Sequence, residues 1–148
     1  DCCGGSTPTE EEDDASHNMV AEFVIGSEPT VMGFLANDDV YYDASSLFQT
    51  GVVTFEMKIV TAPNDSSAQW MFKIESGDAT SAAELTLSSS QEGVEPVVGQ
   101  WQTYTFSLLD LSDAGLDVSA IDVLMVFPAW GTGEGAVYRV DNVAITVP

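Results

Sequence analysis

Residues 101–108, Trp-Gln-Thr-Tyr-Thr-Phe-Ser-Leu, decide the fold, because they are typical of a β-strand led by a tryptophan. An apolar strand follows at residues 121–127, and a glycine-rich loop that carries Trp130 comes after it. A closing strand, Val-Tyr-Arg-Val-Asp-Asn-Val-Ala-Ile, is predicted at residues 137–145. This order places an exposed aromatic side chain beside the end of a rigid sheet.

The same pattern extends towards the N-terminus as short strands separated by clusters of Gly, Pro, Asn, Asp and Ser. We predict eight strands, near residues 19–26, 30–36, 51–60, 68–76, 83–88, 101–108, 120–128 and 136–147. No window has the apolar periodicity of a helix, apart from one turn at 109–114. The pattern predicts an all-β fold, a two-sheet antiparallel β-sandwich of the jelly-roll, galactose-binding-like type, over residues 19–148.

Residues 1–18 are small, polar and acidic, which is typical of a tail or linker. We expect His17, inside this segment, to lie in solvent. Cys2 and Cys3 are adjacent, and adjacent cysteines seldom bridge each other because a trans peptide opposes disulfide geometry. Three interpretations stay open: thiols of no consequence, a lipoprotein-type anchor, or an inter-chain disulfide giving self-association through Cys2 or Cys3.

The charge of the chain is extreme, with 24 Asp and Glu against three cations, Lys58, Lys73 and Arg139, and a net charge of -21. Nucleic acid is excluded as a partner because so few cations could not displace counterions from phosphates. An anionic membrane surface or an anionic polymer would be repelled. No apolar stretch is long enough to span a membrane, and the first residues lack the pattern of a signal peptide. The near-absence of lysine indicates a marine or halophilic bacterium.

Alternation within the strands predicts that all three cations face outward from central strands. Lys58 then shares a face with Glu56, and Lys73 shares a face with Glu75. One interpretation is a set of cross-strand ion pairs, each contributing about 0–1 kcal/mol. The other is a polar groove in which these side chains, with Arg139, hydrogen-bond the hydroxyl groups of a sugar.

Two stretches resemble a known family. Residues 97–111, Val-Val-Gly-Gln-Trp-Gln-Thr-Tyr-Thr-Phe-Ser-Leu-Leu-Asp-Leu, are similar to a tryptophan-led strand of jelly-roll carbohydrate-binding modules. Residues 126–131, Val-Phe-Pro-Ala-Trp-Gly, with 137–143, Val-Tyr-Arg-Val-Asp-Asn-Val, resemble the end of the galactose-binding-like C-terminal domain of marine glycoside hydrolase family 3 exo-1,3/1,4-β-glucanases. The likeness covers roughly residues 45–147. It implies a sandwich that binds a neutral polysaccharide of the β-glucan type, secreted or at the cell surface.

The resemblance also implies a structural calcium ion. In jelly-roll modules the Asp of the closing Asp-Asn-Val strand is a calcium ligand, paired with an acidic residue of the first strand. Carried over to this chain, the ligands are Asp141 and, as the expected partner, Glu22. Carboxylates from the two chain ends suit Ca²⁺, which takes six to eight oxygen ligands. The alternative is that Asp141 accepts backbone N–H bonds at a bulge.

Three aromatic positions are candidates for sugar contact. Trp130 lies in a glycine-rich loop and is predicted to be a stacking platform, with a plug at the end of the sandwich as the alternative. Trp101 is expected at a sheet edge or over the groove. Tyr41 and Tyr42 form a second aromatic loop. Trp70 shares a face with apolar residues and is predicted to be core.

Enzymatic activity is not expected from this sequence. Many carboxylates are present, but no spacing singles out a glycosidase pair. The single histidine and both cysteines lie in the tail, so neither a Ser-His-Asp or Cys-His site nor an ordinary zinc site is predicted. The alternative function is a secreted structural subunit that self-assembles through its N-terminal tail, by a disulfide or by lending a strand to a neighbour's sheet edge.

Overall fold

Two antiparallel sheets pack face to face in the computed structural model, which describes residues 9–27, 33–35, 40–77 and 79–148. The described strands are β1 (Thr9–Asp14), β2 (Asn18–Val24), β3 (Phe34–Leu35), β4 (Val52–Thr61), β5 (Trp70–Ser76), β6 (Ser81–Thr86), β7 (Gln102–Ser107), β8 (Ile121–Pro128) and β9 (Val137–Thr146). A five-stranded sheet has the order β1-β2-β9-β4-β7, and a four-stranded sheet has the order β3-β8-β5-β6. The predicted all-β sandwich is confirmed.

The core lies between the sheets and follows from period-two alternation. Phe55 on β4 is fully buried and faces Phe72 on β5, with ring centroids 5.4 Å apart. Tyr138 on β9 is also buried, and its hydroxyl donates to the carbonyl of Val126 on β8 at 2.6 Å, which ties the two sheets together. Trp70 packs edge-on against Tyr138, so its predicted place in the core is confirmed. Each buried ring of this size contributes about 2–3 kcal/mol through removal of apolar area from water.

One short helix, α1 (Leu108–Asp113), connects β7 to β8 at the place where the sequence predicts a single helical turn. The hydroxyl of Ser107 caps it by accepting from the backbone N–H of Asp110 at 3.0 Å. Leu108 and Leu111 of this helix are buried under the sandwich. Among the described residues no helix is long and apolar enough to cross a membrane.

Seven of the eight predicted strands are found with ends within two residues of the prediction. The eighth, predicted near 30–36, is described as a strand at Phe34–Leu35, and positions 30–32 and 36 lie outside the described residues. The same is true of residues 1–8, which include Cys2 and Cys3, and of residues 37–39 beside the tyrosine loop.

The N-terminal segment differs from the prediction of a tail over residues 1–18. Residues 9–14 form β1, which pairs with β2 along its whole length from Thr9↔Phe23 to Asp14↔Asn18. The described sheet therefore begins ten residues before the predicted boundary at residue 19. The segment Thr-Glu-Glu-Glu-Asp-Asp has no apolar alternation and consists mainly of residues that are depleted in strands. Tertiary contacts described below, rather than local preference, hold it in place.

Candidate functional site

The predicted binding residues lie on the outer faces of both sheets. Glu56 and Lys58 on β4 and Arg139 on β9 point away from the core, since the alternate residues of each strand are buried between the sheets. Lys73 and Glu75 on β5 point outward from the four-stranded sheet for the same reason. The predicted outward placement of all three cations is therefore found. They do not share one groove, because the two outer faces point away from each other.

Asp14, at the end of β1, is the centre of a charged cluster on the five-stranded sheet. Its carboxylate accepts hydrogen bonds from Nζ of Lys58, from Nη1 of Arg139 at 2.9 Å and from Nε1 of Trp101 at 3.2 Å. Lys58 and Arg139 lie directly opposite each other in the β4–β9 register, so this carboxylate offsets the repulsion between two like charges. The hydrogen bond from Lys58, with smaller effects of the same sign from its other donors, outweighs desolvation and holds the pKa of Asp14 well below its usual value.

His17 covers the indole of Trp101 on the same face. The two ring centroids are 3.9 Å apart and the ring planes are 19° from parallel. Nε2 of His17 lies 3.2 Å from Oε2 of Glu56, which also accepts from Nδ2 of Asn142 at 2.5 Å. Nζ of Lys58 lies 5.2 Å from the indole centroid. The prediction that His17 lies in solvent is wrong, since its ring is stacked on Trp101, and Trp101 is partly covered by side chains of its own chain.

The turn between β1 and β2 brings Asp14 and His17 over this face. The backbone N–H of Ser16 donates to the Asp14 carboxylate at 3.1 Å, and the N–H of His17 donates to the Asp14 carbonyl at 3.1 Å. Asn18 follows with φ 60°, a left-handed conformation that asparagine tolerates better than most residues. β2 pairs with β9 from Ala21 onward. The tip of the β1–β2 hairpin, which precedes Ala21, crosses the outer face and contacts β4 and Trp101.

Glu22 and Asp141, the calcium ligands implied by the resemblance, lie on this face too. Oε2 of Glu22 accepts from Nε of Arg139 at 2.7 Å, and this bond raises the pKa of the guanidinium. Asp141 lies opposite Glu56 in the β4–β9 register. Within the described residues no group of three or more His, Cys, Asp or Glu side chains could hold a metal ion. In this arrangement a guanidinium binds Glu22, and the calcium site implied by the resemblance stays a prediction.

Trp130 lies on the outer face of the four-stranded sheet. Its ring packs on that of Phe127, with centroids 4.4 Å apart and planes at 42°, and 45% of Trp130 is exposed. Phe127 belongs to this outer face because Val126, its neighbour on β8, lies in the core. Hydrogen bonds of Ala129 hold the loop in place. Its N–H donates to the Gln69 carbonyl at 2.8 Å, and its carbonyl accepts from the N–H and the hydroxyl of Thr132.

The same outer face carries the third cation of the chain. Nζ of Lys73 lies 2.6 Å from Oε1 of Glu75, two residues along β5. Lys73 is opposite Met125 in the β5–β8 register, and Met71 is opposite Phe127. Trp130, Phe127 and the Lys73–Glu75 pair therefore lie on the same side of the four-stranded sheet.

Tyr41 and Tyr42 lie at the other end of β8. The backbones of Tyr42 and Ile121 exchange two hydrogen bonds, at 2.8 and 2.9 Å. Tyr42 borders a cavity of about 160 Å³ between β8 and β9. β8 has eight residues, so the two ends are about 25 Å apart and the tyrosine loop cannot join the Trp130 surface in one small site.

A concavity that Trp70 helps to line was not predicted from the sequence. It measures about 310 Å³ and lies at one end of the sandwich, between the loops 62–69 and 95–98. Its lining residues include Ile59, Pro63, Trp70, Glu95 and Pro96. Most of the lining residues come from two loops that are distant in the sequence, so no periodic signal marks the concavity.

Sequence reasoning also missed Asp14 and His17. Asp14 is 44 residues from Lys58 and 87 residues from Trp101, and neither contact has a local sequence signature. The available signal was the composition, because the chain is extremely acidic and has three cations. Two of these cations lie on neighbouring strands of one sheet. In such a chain, a carboxylate is expected wherever two cations meet.

Several solved structures share this architecture over almost the whole chain. The family 30 carbohydrate-binding module of the cellulosomal cellulase Cel9D-Cel44B of Clostridium thermocellum matches with a TM-score of 0.69 and 16% identity, over 99% of this chain and 85% of that chain. The family 11 carbohydrate-binding module of the cellulosomal cellulase Lic26A-Cel5E of Clostridium thermocellum matches with a TM-score of 0.64 and 13% identity, over 99% and 85%. The CBM22-1 xylan-binding domain from Paenibacillus barcinonensis Xyn10C matches with a TM-score of 0.55 and 12% identity, over 97% and 82%.

No protein-family model matches the chain, and no curated protein matches its sequence. At identities this low, the likeness concerns the fold alone. It confirms the predicted jelly-roll sandwich and the resemblance to carbohydrate-binding modules at the level of architecture, and it does not bear on the narrower relation to glycoside hydrolase family 3.

Proposed function

We propose that this chain is a non-catalytic domain that binds a neutral polysaccharide of the β-glucan type, outside the cell, through the outer face of the four-stranded sheet. The observation that carries the proposal is the exposed indole of Trp130, seated on Phe127 at the end of β8. The apolar C–H face of a pyranose ring stacks on an indole, and the hydroxyl groups at its edge stay free for hydrogen bonds.

The surroundings of Trp130 supply those polar partners. Lys73 and Glu75 lie on the same face and offer donors and acceptors to the hydroxyl groups of a sugar. Trp101 is a poorer platform, because His17 already covers one side of its ring. The net charge of -21 favours a neutral polymer over a sulfated or uronic-acid polymer, which would be repelled at low salt.

Affinity electrophoresis against laminarin, mixed-linkage glucan, cellulose, xylan and agarose tests this function. We expect retardation by a β-glucan. We expect Trp130→Ala to weaken binding at least about fivefold, which corresponds to the loss of about 1 kcal/mol or more of ring stacking. Val97→Ala, at a similarly exposed residue on another surface, is the matched control. Tyr42→Ala separates the two aromatic loops. Absence of binding to every neutral polymer would overturn the proposal.

A second candidate function is a structural subunit that self-assembles through its N-terminal segment. The observation that favours it is that residues 9–14 form a strand that adds to the edge of the five-stranded sheet. Strand addition at a sheet edge is a general way in which chains join, because the backbone groups of the edge are left unpaired. Size-exclusion chromatography with light scattering, over a range of protein concentration and with and without reductant, tests it.

A further inference from the structure

We propose that β1 is an exchangeable donor strand: in an assembly of this chain, Thr9–Asp14 of one copy pairs with β2 of a second copy, and Asp14 binds between the Lys58, Arg139 and Trp101 of that copy. This inference rests on the second candidate function and names its contact surface. The partner is a second copy of the same chain.

The first reason is that two of the three cations of the chain bind the carboxylate at the end of this strand. Lys58 and Arg139 face each other on adjacent strands, where like charges repel unless a carboxylate lies between them. The indole N–H of Trp101 points to the same carboxylate. Together they form a receptor with three donors on the body of the sandwich, and its occupant, Asp14, comes from the N-terminal strand.

The second reason is that β1 has few other attachments. It is an edge strand that pairs with β2, and of its described side chains Glu11 and Asp13 are exposed, whereas Asp14 is buried. Among the described side chains of the strand, Asp14 is the anchoring carboxylate. A second copy offers both the β2 edge and the receptor for this carboxylate in identical form.

The third reason is the short connection between β1 and β2. Ala15 and Ser16 are exposed, and Asn18 has the left-handed φ of 60° that closes the turn. If the hinge at Ala15–Ser16 opens, Asn18 is free to adopt an extended conformation. Short hinge loops of this kind promote exchange of an identical element between copies. Because the same contacts form within one chain or between two, protein concentration decides the balance.

Charge sets the conditions for exchange. Two copies that each carry -21 repel each other over about 10 Å at 0.1 M salt and over a longer distance at lower salt. Raised salt therefore favours strand exchange. A buried anchor such as the Asp14 cluster is less affected by screening than the exposed charges are.

A split-cysteine trap tests the inference. In a background with Cys2→Ser and Cys3→Ser, one chain carries Asp13→Cys and a second chain carries Met19→Cys; these two exposed residues are directly opposite in the β1–β2 register. After mixing and mild oxidation we expect a disulfide-linked heterodimer, in a yield that rises with protein concentration and with salt. Asp13→Cys mixed with Val147→Cys, an exposed residue outside that register, is the control and is expected to give none.

Two outcomes separate this inference from the candidate function on which it rests. If the unaltered chain assembles but the mixed cysteine chains never cross-link, while a single chain carrying both cysteines closes an internal disulfide, strand exchange is wrong and the subunit function stands. If the unaltered chain stays monomeric at every concentration and salt, both are wrong. Asp14→Asn, which keeps the shape of the anchor and removes its charge, weakens the same contact in the closed and the exchanged arrangement, so we expect the heterodimer to form several times faster while its final yield changes by less than about twofold. A rate of formation that is unchanged in a folded variant would contradict the role of the anchor.

Discussion

The two outer faces of the sandwich carry similar types of side chain but differ in how far these side chains are covered by the rest of the chain. Each carries at least one cation, carboxylates and a tryptophan. On the five-stranded sheet the N-terminal turn covers the face, so that Trp101 is stacked on His17, and Lys58 and Arg139 are bound to Asp14. On the four-stranded sheet Trp130 keeps nearly half of its surface exposed. An outward-facing aromatic or charged residue is therefore not by itself a binding residue, because what covers it decides its role.

The largest expected effect comes from breaking the covered face at its centre. Asp14→Asn leaves Lys58 and Arg139 opposed without a counter-charge, and we expect it to lower the free energy of unfolding by about 2–4 kcal/mol. For a chain of this length that corresponds to a fall in melting temperature of about 6–12 °C. Differential scanning calorimetry measures it. Asp13→Asn, at the exposed neighbour, is the control and is expected to change stability by less than about 0.5 kcal/mol.

The pH dependence of stability tests whether the charge of Asp14 stabilises the covered face. The folded pKa of Asp14 lies below its usual value near 3.8, so the carboxylate adds stability that is fully present above that value and is lost as the pH falls towards the folded pKa. We therefore expect the stability difference between the unaltered chain and Asp14→Asn to be constant between about pH 7 and pH 5 and to shrink below about pH 4. Urea unfolding midpoints of both proteins across this range measure it. A difference that persists unchanged at the acid end would contradict a charge-based anchor.

These effects also mark where sequence reasoning succeeds. Phe55 and Phe72 lie in strands that alternate apolar and polar residues, and this local period is sufficient to predict both the strands and the face that enters the core. β1 could not be predicted in this way, since Glu10, Glu11 and Glu12 carry no period and the strand depends on one carboxylate that reaches residues far away in the sequence.

In the candidate sites, too, local alternation predicts some features, and contacts between distant parts of the sequence determine the others. The outward direction of Lys58 and Lys73 was predictable from alternation, but their separation onto two opposite faces depends on which strands share a sheet. Likewise the exposure of Trp130 was predictable from its glycine-rich loop, whereas the covering of Trp101 by His17 depends on a turn that folds back across three strands.

A smaller effect is expected when the cover is removed from Trp101 alone. His17→Ala deletes the stacked ring and its contact with Glu56, and we expect it to lower stability by about 1 kcal/mol and to increase quenching of tryptophan fluorescence by iodide. Polysaccharide binding should change by less than twofold if the four-stranded face is the binding face. A gain of tenfold or more would instead assign the sugar site to the five-stranded face. Met19→Ala, on the same hairpin and exposed, is the control.

The smallest expected effect concerns calcium. The resemblance to jelly-roll modules implies a metal at Glu22 and Asp141, yet on the covered face the guanidinium of Arg139 already binds Glu22. Arg139 and Ca²⁺ would compete for the same carboxylate, and the covalently attached cation has the advantage because its local concentration is fixed by the fold. We therefore expect EGTA to shift the melting temperature by less than about 1 °C, which is within the small range of an unperturbed surface. Arg139→Gln is the variant to compare, because removal of the guanidinium frees Glu22. A calcium-dependent rise in melting temperature in that variant alone would mean that the arginine has replaced a metal site. A large fall with EGTA in the unaltered chain would instead place calcium ligands beyond the residues described here.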